Sequence, residues 1–281
     1  ARKYEVAMNL QELVRLSLEE DIGPGDVTTD AVVPPQQMGR GQIVAKEVAV
    51  VAGHQVALEV FRQAGARYLP LVDEGQVAGP GTSIAQVEGA IQSILQAERV
   101  ALNFLMRLSG VATHTRSAVS AAPGLRVVDT RKTTPLLRRL ERAAVRTGGG
   151  HNHRFALYDG VLIKDNHILA AGSISRAVER VRLNAHHLLR IEVETSSLAE
   201  VDEAILAGAD VVMLDNMDDS QMARAVEKHR GRALFEASGN VTAERLPRLA
   251  ALGLDVVSMG GLIHQARWVD LSLKLEGRSG N

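Results

Sequence analysis

The sequence predicts an α/β protein, a small α+β region followed by parallel βα units that close into a barrel, and three observations carry the prediction. Before Pro123, short β-like stretches are punctuated by Gly and Pro around a helical segment. After it, near-continuous apolar runs alternate with amphipathic helices, as expected of parallel strands covered on both faces. No dinucleotide-type glycine fingerprint follows the first run and the P-loop pattern is missing, which favours a barrel over a doubly wound sheet; periodicity alone does not separate the two.

From Asn9 to Glu20, the residues Leu10, Leu13, Val14, Leu16 and Leu18 largely keep helical spacing with Asn9 as the cap, and Asp21-Ile22-Gly23-Pro24-Gly25-Asp26 breaks the helix. Residues 41–51 and 75–87 read as strands flanking a helical segment at 56–64. Residues 90–120, with Gly110 as their only glycine, read as one or two long connecting helices. The apolar runs of the barrel are 125–129, 160–164, 188–194, 210–214, 233–237 and 255–259, with helices at 174–183, 198–207, 219–229 and 243–252. The segment 266–275 is left to return to the first region.

Composition narrows the function. Of 281 residues, 46% are apolar and 23% charged, the balance of a folded globular chain long enough for one large domain or two modest ones. A net charge of −1 provides no overall field for nucleic acid or an anionic membrane, so any anion site is local. Arg outnumbers Lys 26 to 6, and a guanidinium fork suits carboxylates and phosphates, although surface composition accounts for most of these arginines. The absence of Cys excludes disulfides, thiolate metal sites and a cysteine nucleophile. No apolar run approaches the roughly 20 residues that cross a bilayer, and no charged-then-apolar leader is visible, so a cytoplasmic protein is expected.

The residues just after each barrel run point to chemistry, because the carboxyl ends of barrel strands converge on the face that holds the active site. Arg131, Lys132, Arg154 and Lys164, joined by His153, would repel one another in an empty site, and their complement is a substrate with several negative charges. Glu194 and Asp215 end neighbouring runs with no Lys or Arg beside them in sequence. They suit Mg²⁺ held against pyrophosphate oxygens, or direct stabilisation of a positive transition state; capping the next helix is the plainer alternative. Ser238-Gly239-Asn240 and Gly260-Gly261, with His264 nearby, are turns after the last two runs, where barrels often bind phosphate through backbone N–H groups. The spacing of His151, His153 and His167 is not that of a zinc motif, and the nearby cations oppose a metal.

Seven ordered stretches then carry a resemblance: Glu98-Arg99-Val100-Ala101-Leu102-Asn103, Thr130-Arg131-Lys132-Thr133, Asn152-His153-Arg154, Lys164-Asp165-Asn166-His167, Glu192-Val193-Glu194, Met213-Leu214-Asp215-Asn216 and Glu236-Ala237-Ser238-Gly239-Asn240. Together with Glu20 to Thr29 and Ser258-Met259-Gly260, the chain resembles, end to end, the quinolinate phosphoribosyltransferases, also called nicotinate-nucleotide pyrophosphorylases (carboxylating). One departure is the bulky stretch Phe155 to Tyr158.

The resemblance implies an amino-terminal α/β sandwich domain, residues 1–112, and a carboxy-terminal open α/β barrel of TIM-like parallel strands, residues 113–265, with a tail helix at 266–281 packing back on the first domain. It implies a homodimer in which Arg99 completes the partner's site. Arg99, Arg131, Arg154 and Lys164, with His153 beside them, would surround the two carboxylates of quinolinate. Lys132 would contact phosphoribosyl pyrophosphate, Glu194 and Asp215 its ribose and Mg²⁺, and Ser238, Gly239, Asn240, Gly260, Gly261 and His264 its 5′-phosphate. The implied reaction yields nicotinate mononucleotide, pyrophosphate and CO₂, a step of NAD biosynthesis. Two rivals fit less well. A nicotinate phosphoribosyltransferase has one carboxylate to bind and needs fewer cations; a Schiff-base aldolase on Lys164 wants that lysine among apolar neighbours, and here Asp165 and two arginines are near. A non-enzymatic assembly role leaves the convergent chemistry unexplained.

Overall fold

The computed structural model describes residues 9–276, which form two compact units, the first comprising residues up to 114, 134–148 and the segment from 266 onward. It opens with α1 (Leu10–Ile22), capped by Asn9, whose side chain accepts the Glu12 N–H, and with the short α2 (Val27–Val32), capped in the same way by Asp26. Then come β1 (Met38–Ala45), β2 (Ala49–Val50), α3 (His54–Gln63), β3 (Arg67–Pro70), β4 (Val77–Ala78), β5 (Ser83–Ala90) and α4 (Ile91–Ala121). The long connecting region is therefore one helix of 31 residues, and its last turns belong to the second unit.

The second unit alternates strand and helix. In chain order the elements are β6 (Arg126–Val128), α5 (Arg138–Thr147), β7 (Val161–Ile163), α6 (Asp165–Ala171), α7 (Ile174–Asn184), β8 (Ile191–Thr195), α8 (Leu198–Ala207), β9 (Val211–Asp215), α9 (Asp219–His229), β10 (Leu234–Ser238), α10 (Leu246–Ala251), β11 (Val256–Ser258) and α11 (Gly261–His264). Of these, α5 groups with the first unit, although the sequence expectation put it in the barrel. The reason is Glu141, fully buried, which takes Arg107 Nη2 at 2.7 Å and the Thr134 N–H at 2.8 Å.

The six strands pair in parallel in the order β6-β11-β10-β9-β8-β7. They are short and apolar because both faces are covered, and Val127, Val193, Val212, Leu214, Ala237 and Val257 are all essentially inaccessible. Asp210 and Asp255 accept the N–H groups of Ile191 and Phe235 at 2.8 Å, tying neighbouring strands together at their starts.

The tail overturns one expectation. In place of a helix it forms β12 (Leu271–Leu275), antiparallel to β1 at the edge of a four-stranded sheet ordered β12-β1-β5-β3. Leu271, Leu273 and Leu275 alternate with Ser272 and Lys274, a period of two that pairs as a strand and leaves a helix no single apolar face. Residues 277–281 of the expected tail helix and residues 1–8 of the expected first domain lie outside the described residues.

Candidate active site

The carboxyl ends of all six parallel strands and the loops after them meet at one cavity of about 670 Å³. Arg131 and Lys132 reach it after β6, His153 and Arg154 from the loop before β7, Lys164 after β7, Glu194 at the end of β8 and Asp215 at the end of β9. Ser238, Gly239 and Asn240 enter from β10, and Gly260, Gly261 and His264 from beyond β11. Since edge strands and central strands line the same space, the sheet is curled into an open barrel. Arg99 is the exception. It is exposed on α4, in the first unit, and does not line this cavity.

The positive wall is built by the loop. Arg154 Nη1 donates to the Gly160 carbonyl at 2.9 Å, and a Cβ at Gly160 would stand 3.0 Å from Arg154 Cβ. Burial, and then the nearby Arg131 charge, lowers the Arg154 pKa, so the guanidinium carries unfavourable electrostatics that an anion relieves. The bulky stretch 155–158 is anchored by Asp159, which accepts the Phe155 and Ala156 N–H groups at 2.6 and 2.8 Å. Lys164 Nζ forms an ion pair with Glu194 Oε2.

The two carboxylates do not cap helices. Ser197 caps α8 and Asp218 caps α9, which leaves Glu194 and Asp215 to the cavity. Asp215 accepts Asn216 Nδ2 at 2.8 Å. His167 is also spoken for, because its Nδ1 accepts the Lys164 N–H at 2.9 Å at the start of α6.

The glycine turns are backbone requirements. Gly239 has φ +83, and a Cβ there would fall 2.3 Å from Asn216 Oδ1; Asn216 and Asn240 are themselves left-handed, with Asn240 Nδ2 donating to Asn216 Oδ1 at 3.1 Å. A Cβ on Gly260 would lie 2.8 Å from Lys132 Cδ and 3.2 Å from His264 Nε2, so glycine lets the lysine stem cross the turn.

Three buried acids to which the sequence assigns no role join the site. Asp129, fully buried, accepts the His153 N–H at 3.0 Å on Oδ1 and Asn152 Nδ2 at 2.5 Å on Oδ2, fixing the loop. Glu192 and Glu236 lie inside the barrel, where His153 Nε2 is 3.0 Å from Glu192 Oε2 and 3.6 Å from Glu236 Oε2. Burial, and next the Glu192 charge, pushes the Glu236 pKa up to about 8. For Glu192 a signal existed: it stands two residues before Glu194, hence on the same strand face.

Comparison with known proteins puts a family to this geometry. Residues 111–274 match the quinolinate phosphoribosyl transferase C-terminal domain and residues 26–109 its N-terminal domain. The chain belongs to the quinolinate phosphoribosyltransferase family. A probable nicotinate-nucleotide pyrophosphorylase (carboxylating) from Synechocystis is 46% identical over 265 residues, covering 92% of this chain and 90% of the relative. One from Bacillus subtilis is 40% identical over 270 residues, covering 95% and 93%. The crystal structure of NadC from Streptococcus pyogenes superposes with a TM-score of 0.92 at 38% identity over 98% of this chain and 99% of that one. The matched stretches of this family member include Arg99 and every cavity residue named above.

Proposed function

We infer that this chain joins the ring nitrogen of quinolinate to the ribose carbon of phosphoribosyl pyrophosphate, releasing pyrophosphate and CO₂ and giving nicotinate mononucleotide for NAD biosynthesis. The observation that carries the reading is the convergence of Arg131, Lys132, Arg154 and Lys164 on one cavity that also holds Glu194 and Asp215. The cations complement a dicarboxylate beside a pyrophosphate, and the two acids face the carbon that becomes positive between them.

Arg131, Arg154 and Lys164 bind the two carboxylates of quinolinate, with His153 alongside. A diacid takes Lys164 in exchange for its present partner Glu194. Lys132, crossing Gly260, takes up charge on the departing pyrophosphate, while the turns at Ser238-Gly239-Asn240 and Gly260-Gly261, with His264, hold the 5′-phosphate. The ring nitrogen attacks as the C–O bond to pyrophosphate breaks, and Glu194 and Asp215 offset the oxocarbenium-like ribose. The quaternary nitrogen then accepts the electron pair of the departing 2-carboxylate, and the vacated ring carbon takes up a proton.

Glu194 and Asp215 fit Mg²⁺, since both offer hard oxygen ligands and two carboxylates leave most of an octahedral shell to water and pyrophosphate. When bound, the ion supplies positive charge to the pyrophosphate oxygens. The reading includes a homodimer in which Arg99 reaches the partner's cavity, and a cytoplasmic enzyme.

A product assay with quinolinate, phosphoribosyl pyrophosphate and Mg²⁺, with nicotinate in parallel, tests this. The expected result is turnover of quinolinate with stoichiometric pyrophosphate and CO₂, and a fall in kcat of about 10²–10³ in folded Glu194→Ala or Lys132→Ala protein. Turnover of nicotinate without CO₂, or of neither acid, overturns it.

A further inference from the structure

Inside the barrel lies a cluster that no step above uses. Glu192 on β8 and Glu236 on β10 are 6% and 3% exposed, and Oε1 of each, with Ser258 Oγ, is buried with no partner in hydrogen-bonding geometry. Two buried carboxylates beside one imidazole are costly when both are ionised, and a single proton on Glu236 turns it into a donor for the oxygens around it. His153 closes the cluster. Its Nε2 faces both acids, and its Nδ1 accepts the backbone N–H of Arg154 at 2.8 Å.

That second hydrogen bond decides the tautomer. Burial lowers the His153 pKa, and the Glu192 hydrogen bond and both carboxylate charges more than offset it, against the opposing Arg154 charge. A proton on Nδ1, however, would point at the Arg154 N–H, so the ring proton stands on Nε2. Both ring nitrogens are thereby engaged within the protein. The same geometry argues against a metal ion among these three side chains: an ion on Nε2 needs the proton on Nδ1, and the Arg154 charge opposes it.

We propose that Glu192 and Glu236 are positioning residues that act through His153 to hold Arg154 at the diacid end of the cavity. The inference rests on the reading of that cavity as the quinolinate site. The connection is continuous: Glu192 holds Nε2 at 3.0 Å with Glu236 beside it at 3.6 Å, Nδ1 holds the Arg154 backbone, Asp129 holds the His153 N–H, and Gly160 holds the Arg154 guanidinium. With the acids removed, the ring turns and Arg154 loses its aim, whereas the phosphate turns at 238–240 and 260–261 lie further along β10 and β11, beyond Glu236 and Ser258.

Steady-state kinetics test it with both substrates varied. Glu236→Ala is expected to raise the KM for quinolinate about tenfold, with the KM for phosphoribosyl pyrophosphate unchanged and kcat at saturation within about threefold of the parent. Glu236→Gln, shaped like the protonated acid, restores the quinolinate KM. In an Arg154→Ala background, where quinolinate binding is read by calorimetry, Glu236→Ala adds little, because both changes remove one interaction. Should Glu236→Ala not fold, Glu236→Gln against Glu192→Gln decides: the first binds quinolinate as the parent does and the second weakly. A rise in both KM values, Gln no better than Ala, or additive effects with Arg154→Ala overturns the proposal. Failure of the parent enzyme to turn over quinolinate sinks the functional reading instead, which the product assay detects first.

Discussion

Glu236 keeps its proton because burial and the Glu192 charge both oppose ionisation, and that retention acts on stability with a definite sign. Its folded pKa of about 8 lies above the ordinary 4.5, so between those values the native chain binds a proton that the unfolded chain has lost. Stability from this group is therefore fully present below the ordinary value and declines as pH rises toward 8, by at most about 1.4 kcal/mol per pH unit. Glu236→Gln cannot titrate, and urea unfolding between pH 5 and 8 is expected to show a flatter pH dependence in the variant; parallel curves would mean the acid is ionised in the native state. The partnership of Glu192 and Glu236 is hidden in the sequence for a physical reason, although the spacing of Glu192 from Glu194 gives its face. Arg131, Lys132, Glu194 and Asp215 stand at or just past apolar runs and read directly as a polar rim, whereas Glu192 and Glu236 sit within the runs. Their meaning depends on strands β8 and β10 curling toward the same His153.

At the scale of elements, α4 shows how one residue sets a packing distance. Gly110 is its only glycine after Ile91, and a Cβ there would stand 2.0 Å from the Arg267 carbonyl oxygen and 3.3 Å from Trp268 Cα. Gly→Ala inside a helix ordinarily stabilises by about 1 kcal/mol. Here backbone meets backbone and nothing flexible can yield, so Gly110→Ala is expected to destabilise by about 3 kcal/mol or more in urea unfolding. A gain in stability would show that the 267–268 segment does not approach the helix so closely. Most barrel elements were legible because a parallel strand and an amphipathic helix have different periods; the helix at 198–207 was placed to the residue. The tail was not, because the helix there came from resemblance while the alternation from Leu271 to Leu275 argued for a strand. The short strand β3 is hidden for want of length, and α5, as long as the helix at 198–207, is hidden by an Arg-rich sequence whose buried Glu141 gives no sign of its partner Arg107.

The whole molecule raises the question of Arg99, exposed on α4 in one unit while the cations of the cavity belong to the other. If the working enzyme is a homodimer whose cavity takes Arg99 from the partner subunit, then Arg99→Ala and Lys132→Ala damage the same site from different chains. Each homodimer is then impaired at both sites. In a mixed dimer, the two substitutions fall together on one site and leave the other with a native Arg99 and a native Lys132. Random exchange of equal amounts makes half the dimers mixed with one intact site each, so activity should return to about a quarter of the parent value. Co-refolding or co-expressing the two variants and assaying the mixture measures this directly. Activity no higher than the average of the separate variants would show that Arg99 does not complete a partner's cavity. It would also restrict binding of the diacid to Arg131, Arg154 and Lys164, which the proposed strut through His153 then has to align without help from a second chain.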